Sequence, residues 1–419
     1  MYSIVLKSLL SKILIMSAEF HIKSDFGVYD HIPDLAYFDS ASTTLVPRKA
    51  VTAVNSFLDS VISSSRRGAY RLAVKGSTIV EDTRKSLGMF FETDKSQISF
   101  QQSIPTAVAS FVYGYDWKTN RKNKIVIGQG EENSIFISLL QSAKILGLDI
   151  EIVPTDNKGN LRIDELERKV DDNTGLVAVG HVSPGPGTRN PIHEAAKIVH
   201  QSNALLLTDV TRSAGLSSET LTTLGSDILI LSANIGLMGP PGLAIQWIDK
   251  SIGEAHKPGI LGSSSVTNVE DKSFDIALQP DKFESGYLNI PAIAGLDASL
   301  EYLTNLQSIG LTKHINKLSK YLVKRLAEVD GLIIYGEPDE NNTIFGFNLI
   351  SEDGINCHDV ALFLDESHIA VRSGVLCAHS LIQSISADGM IQASIHAYNS
   401  IEDIDRLVET ITIIAKEFL

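Results

Sequence analysis

The sequence is poor in cysteine, in tryptophan and in basic side chains. Its 419 residues include only two cysteines, Cys357 and Cys377, which excludes a disulfide framework and a cysteine-based zinc site. A reducing compartment suits such a chain, and the cytoplasm is the expected location. Lysine and arginine number 36 against 50 aspartates and glutamates, a net charge of −14. A protein this acidic is poorly matched to a nucleic-acid backbone or an anionic membrane, so neither is expected as a partner. No stretch reaches the roughly 18 apolar residues that a membrane-spanning helix requires. Repeats, low-complexity tracts and long linkers are also missing.

What is present is a globular composition, with 43% hydrophobic and 21% charged residues. The length allows one large α/β fold or two to three domains. The opening MYSIVLKSLLSKILIM, Met1 to Met16, is apolar with two lysines and no acid. It reads as a weak targeting segment, an amphipathic extension, or a start assigned too early with Met16 as the true start.

From about Leu35 short apolar runs alternate with helical patterns. Expected strands are Ala36–Phe38, Gln97–Phe100, Lys124–Ile127, Asp149–Pro154, Leu176–His181, Ala204–Thr208, Ile228–Leu231 and Leu243–Trp247. Helical segments such as Pro47–Val61, Thr78–Phe91, Ile135–Leu146, Ile163–Val170 and Ile192–Gln201 lie between them. This alternation predicts an α/β fold with a mainly parallel sheet covered on both faces. After about Pro291 the pattern changes to one long helical stretch, Ala292–Val329, and then short strands and helices closing with Ile401–Phe418. The expected organisation is an extension at 1–23, a large domain at 24–290 and a smaller α+β domain at 291–419, with residues near 24–34 packing on the smaller one.

Four local patterns carry chemistry. Asp209 ends the apolar run that begins at Ala204 and reads either as a partner for a protonated cofactor nitrogen or as a helix N-cap. Cys377 lies in Gly374-Val-Leu-Cys-Ala-His379, near Arg372, and reads either as a nucleophile or as a small buried thiol. Gly236-Leu-Met-Gly-Pro-Pro-Gly242 is a tight connection without phosphate-loop spacing. Phe283-Glu-Ser-Gly286 reads as a turn near a site.

In this order and spacing the patterns resemble one family, the cysteine desulfurase and selenocysteine lyase branch of the class V aminotransferases, the NifS/SufS-like enzymes. Residues Asp25–Pro47 resemble its opening strand, and Arg66–Arg71 stands where an RGxH motif is usual. His181–Ile192 is similar to its HVSN segment, Leu205–Gly215 to its VDGAQ strand, Phe283–Asn289 to FExGTxN and Ile369–Leu381 to IAVRTGHHCAxPL. The likeness runs from about Lys23 to Leu419. It implies fold type I of the pyridoxal-phosphate enzymes, with a seven-stranded-type sheet in the large domain, and a homodimer. It also implies a lysine holding the cofactor as a Schiff base, an aspartate on its ring nitrogen and a cysteine that takes sulfur as a persulfide.

The sequence departs from that pattern mainly in the cofactor site. The family's SGHK segment reads Ser232-Ala-Asn-Ile-Gly236, so Ile235 or Gly236 stands at the lysine position and neither forms an imine. Lys250 follows the next strand and should face away. The phosphate-binding RGTTE is matched by Gln102-Ser103-Ile104-Pro105-Thr106, where Pro105 lacks an N–H. Glu131 and Glu132 fall in the segment of the ring-stacking histidine. Arg212 takes the place of a glutamine, where it is expected to pair with Asp209 three residues earlier, Pro184 of an asparagine and Gln392 of the arginine that clamps the substrate carboxylate.

The resulting candidates are Cys377, Arg372 and His379 as reactive or supporting groups, and Asp209, Arg212, Thr106, Ser103 and Ser232 as remnants of a degenerate pyridoxal phosphate site. Three readings follow. The chain is a catalytically inactive relative, serving as partner, scaffold or persulfide carrier in sulfur trafficking with a sulfur-relay partner. Alternatively it is an active pyridoxal enzyme using a freely exchanging aldimine, or a site rebuilt from Arg212, Glu131, Glu132, Asp209 and His379 for another small ligand. A polar pocket with strongly shifted carboxylates favours the last, and a cleft filled by Ile235, Ile104 and Met238 favours a purely structural role.

Overall fold

The computed structural model describes residues 20–217, 219–338, 341–350, 355–386 and 389–418. The segment Met1 to Met16 therefore lies outside the described residues. Among the described residues, no helix is long and apolar enough to cross a membrane.

The chain opens with a short strand β1 (Ala36–Tyr37) and then builds β2 (Ile98–Gln101), β3 (Lys124–Gly128), β4 (Asp149–Val153), β5 (Thr174–Ala178), β6 (Leu205–Asp209), β7 (Ile228–Ser232) and β8 (Ala244–Ile248). Strands β2 to β8 form one seven-stranded sheet in the order β2-β8-β7-β6-β5-β3-β4. Only β8 runs antiparallel to its neighbours, so the parallel expectation holds with one exception. The tight Gly236–Gly242 connection accounts for it, because a short link can return the chain only beside and against β7.

Burial alternates along the strands as a two-sided sheet demands. Val126, Leu229 and Leu231 point into one apolar cluster, while Ile125, Ile127, Ile228 and Ile230 point into the other. Helices cover both faces. Ile104–Gly114 and Asn133–Leu146 belong to the second cluster, and Arg71–Phe90 and Ile290–Ser308 to the first.

A hairpin follows, β9 (Val266–Val269) with β10 (Phe274–Ile276), which the sequence reading did not anticipate. The expected single helix Ala292–Val329 is instead two, Ile290–Ser308 and Leu311–Leu326. The break falls at Gly310, whose φ of 107° lies in the left-handed region that a continuing helix cannot use. The remaining strands are β11 (Leu332–Tyr335), β12 (Ile344–Leu349), β13 (Ile369–Ala370), β14 (Arg372–Gly374) and β15 (Met390–Ser394). Four of them form an antiparallel sheet in the order β11-β12-β15-β14, and β13 pairs in parallel with β1. The N-terminal segment is also tied to the closing helix by Lys23 Nζ to Asp403 Oδ1 at 2.6 Å, and Phe26 stacks edge-on with Tyr398.

One fully buried ion pair joins distant segments. Arg84 donates to Glu284 at 2.8 and 3.3 Å and to the Ile98 carbonyl at 2.6 Å, and Glu284 also accepts the Phe100 N–H at 2.8 Å. Arg84 and Glu284 are each 1% exposed, so the Phe283–Gly286 turn is anchored beneath the first strand of the large sheet. Removing the Glu284 charge leaves buried Arg84 with only the more distant Glu81 carboxylate at 3.4 Å, a loss approaching the roughly 3–5 kcal/mol of a broken buried pair. Glu284→Gln should lower the denaturation midpoint strongly, whereas Lys158→Ala, at the exposed Lys158–Glu337 pair, should leave it unchanged. Equal effects in chemical denaturation would contradict this assignment.

Candidate functional site

The carboxyl ends of β2, β3, β6 and β7 and the start of β8 meet at one edge of the large sheet. In a parallel sheet this edge holds ligands, near the point where the chain reverses its direction of winding, here between β3 and β5. A cavity of about 380 Å³ lies there. It is lined by Asp209, Arg212, Ser232, Ser103, Arg372 and Cys377 from the sequence expectations, and by Ser42, Gln102, Glu132, Thr211, Asn234 and Ile235 among others. Two expected residues stay off its wall. Thr106 sits one turn inside the Ile104–Gly114 helix, where its N–H donates to Ser103 Oγ at 3.3 Å. His379 is exposed on the outer side, its Nδ1 3.0 Å from Asn133 Nδ2.

Packing separates the two residues expected at the lysine position. Ile235 lines the cavity, whereas a Cβ on Gly236 would stand 2.0 Å from the Ala214 carbonyl oxygen, so no side chain fits at 236. No lysine lines the cavity. Ala244 does, and Lys250 lies beyond the far end of β8, about 20 Å along a strand of this rise. Lys250 faces away, as the sequence implied. The hydroxyls at the former phosphate side are engaged with the protein. Ser103 caps its helix and Ser232 Oγ donates to Asn234 Oδ1 at 2.6 Å. The cleft is not filled by Ile104, Ile235 and Met238. The first two line an open polar cavity and Met238 is buried away from it.

The cysteine arm comes from the smaller sheet. Arg372, at the start of β14, donates from Nη2 to Cys377 Sγ at 2.9 Å and from Nη1 to Ser42 Oγ at 3.0 Å. Ser42 in turn donates to Asp39, whose carboxyl burial pushes above its ordinary value. The sequence reading treated Asp39–Ser42 only as part of an opening strand and missed this support. Leu376 and Cys377 have φ of 52° and 55°, two successive non-glycine residues in the left-handed region. Such strain persists only where the surroundings impose it, here through the Asn133 N–H donating to the Cys377 carbonyl at 2.7 Å.

The carboxylates and Arg212 form the other arm. Asp209 Oδ1 accepts the Thr211 N–H at 2.8 Å, so it caps a turn while lining the cavity. The proposed Asp209–Arg212 ion pair does not form within 4.0 Å. Arg212 is 7% exposed, Nε lacks any hydrogen-bond partner and the guanidinium makes no salt bridge. Burial raises the Asp209 pKa, opposed by the Arg212 charge and by Thr211. Behind the wall Glu131 accepts the Gly180 N–H at 2.5 Å through one oxygen, while its other oxygen is unpartnered. Burial pushes Glu131 up to about 8, with the Asp209 charge adding to the effect.

That shift has a stability consequence. A carboxyl with a raised folded pKa binds its proton more tightly when folded, so its contribution is lost as pH rises toward that pKa. The buried His181, His256 and His396, pushed down to about 4, act oppositely, adding stability up to their ordinary 6.5. Above about 6.5 the histidine contribution is complete, while the Glu131 contribution keeps falling toward about 8. Thermal melting of the parent should therefore fall over that window. Glu131→Gln, which still accepts the Gly180 N–H, should lack the fall, and an identical fall in both proteins would contradict it.

The chain matches the aminotransferase class-V family over residues 36–407. It is 30% identical over 377 residues to a probable cysteine desulfurase of Pyrococcus abyssi, covering 89% of this chain and 92% of the relative. It is 28% identical to a cysteine desulfurase of Escherichia coli, covering 92% of this chain and 96% of that one. The apo structure of a cysteine desulfurase from Thermococcus onnurineus superposes with a TM-score of 0.86 at 27% identity, covering 95% of this chain and 98% of that one. The α/β architecture with its mainly parallel sheet is that of the pyridoxal-phosphate enzymes of fold type I, and the chain belongs to the aminotransferase class-V family, in its cysteine desulfurase-like branch.

Proposed function

We propose that this protein carries sulfur on Cys377 without forming the pyridoxal Schiff base of its relatives. The observation that supports this most directly is the side chain at 235. Ile235 faces the cavity, the neighbouring Gly236 admits no side chain, and no lysine lines the wall. The family is pyridoxal-phosphate-dependent, but the donor set here does not fit that group held as an imine. The helix that would receive its phosphate has Pro105 in its first turn and a capping serine engaged with Thr106. Glu132, a carboxylate, lines the wall in the segment of the ring-stacking histidine.

The cysteine arm keeps Arg372 and Cys377, although Val375 and Leu376 stand where the family has two histidines. Cys377 lines the cavity with the Arg372 guanidinium against its sulfur, a cation placed to hold negative charge on a thiolate or a persulfide. Loading from a persulfide donor needs no cofactor. The Cys377 thiolate attacks the outer sulfur, a new S–S bond forms, the donor's S–S bond breaks, and the donor leaves as a thiolate. Delivery to an acceptor thiol repeats the exchange. The homodimer implied by family resemblance is the expected assembly for this role.

Purified protein mixed with pyridoxal phosphate should show no aldimine absorption and no lysine adduct after borohydride reduction and mass spectrometry. An adduct at one specific lysine would overturn the first half of the proposal. Glutathione persulfide should leave one added sulfur on Cys377, and Cys377→Ser should abolish it. Loading that persists in Cys377→Ser would overturn the second half.

A further inference from the structure

The carrier reading leaves open where the sulfur comes from, and the cavity holds a feature that reading does not use. Arg212 is 7% exposed, it lines the cavity, its Nε has no hydrogen-bond partner, and its guanidinium makes no hydrogen bond or salt bridge among the described residues. A guanidinium is always charged, and burying it without a partner is costly, so its geometry calls for an anion. The second arginine, Arg372, lines the same cavity and is engaged with Ser42 and with the sulfur of Cys377. Two carboxyls, Asp209 and Glu132, share the wall, but Asp209 accepts the Thr211 N–H and Glu132 the Ser134 N–H, and neither bonds to Arg212. Burial raises the Asp209 pKa, and Glu131 behind the wall is pushed up to about 8. The volume, about 380 Å³, accommodates a small oxyanion with room to spare.

We propose that the cavity binds a small thiosulfonate-type oxyanion, thiosulfate being the simplest, with its oxygens on Arg212 and its outer sulfur presented to Cys377. The proposal rests on the carrier reading of Cys377 and names its donor. The Cys377 thiol first gives its proton to water. The thiolate attacks the outer sulfur of thiosulfate and a Cys377 S–S bond forms. The S–S bond of thiosulfate breaks, and its electron pair leaves with sulfite. A monoanion and a dianion enter, and a persulfide monoanion and sulfite dianion leave, so no external oxidant or reductant is needed. Arg212 would hold the same oxygens before and after cleavage, while Arg372 holds the charge that stays on Cys377. Sulfate shares the oxyanion chemistry but has no outer sulfur to give, so it should bind and not react.

The test incubates the full chain with thiosulfate and follows sulfite release together with the mass of the Cys377 peptide. One added sulfur on Cys377 and an equivalent of sulfite are expected, with sulfate competing. Arg212→Gln should weaken the reaction at low thiosulfate by roughly 10- to 100-fold, the scale of one lost charged hydrogen-bonding group. Arg212→Lys should recover part of it, which a mere folding defect would not show. Sulfite release unaffected by Arg212→Gln, or an absence of persulfide on Cys377, would overturn the proposal. Loading by glutathione persulfide in the absence of loading by thiosulfate would overturn this donor alone and leave the carrier reading standing, whereas failure of both donors would overturn both.

Discussion

A guanidinium enclosed at the carboxyl edge of a parallel sheet, without a hydrogen-bonding partner, is the constraint around which this site must be understood. Arg212 stands in a cavity that in its relatives serves pyridoxal chemistry, and it brings permanent charge to a place with no amine. Isolated buried charge is expensive. Asp209 and Glu131, both buried, carry raised pKa values that the Arg212 charge only partly offsets.

The frame that holds the site does not depend on the residue at 235. The large sheet is fixed by strand alternation between two apolar clusters, and its edge strand is anchored through the Arg84–Glu284 pair. The cysteine arm reaches the cavity from the smaller sheet, because β14 directs Arg372 and the following turn toward Ser42. Pairing of β1 with β13 brings the opening segment, and with it Asp39 and Ser42, beside that arm. Residues 105, 132, 212 and 235 all line the cavity rather than the two apolar clusters of the sheet.

Much of this was legible in the sequence. The parallel sheet followed from strand and helix alternation, and Asp209, Ser232, Arg372 and Cys377 all reach one cavity. The choice between Ile235 and Gly236 was not legible, because it depends on the Ala214 carbonyl packed against the glycine. The expected Asp209–Arg212 pair failed for a similar reason. Three residues of spacing place two side chains on one face only in a regular helix, and this segment is a turn in which Asp209 accepts the Thr211 N–H. His379, adjacent to the cysteine in sequence, faces outward because it begins a new helix. The support of Arg372 by Ser42 and Asp39 joins segments more than 300 residues apart and left no local signal.

The most direct test of the account is a crystal structure of the protein grown with pyridoxal phosphate and thiosulfate together. The account predicts a small oxyanion beside the Arg212 guanidinium and unmodified lysines throughout. Continuous density from a pyridoxal ring to a lysine nitrogen in the cavity would contradict it.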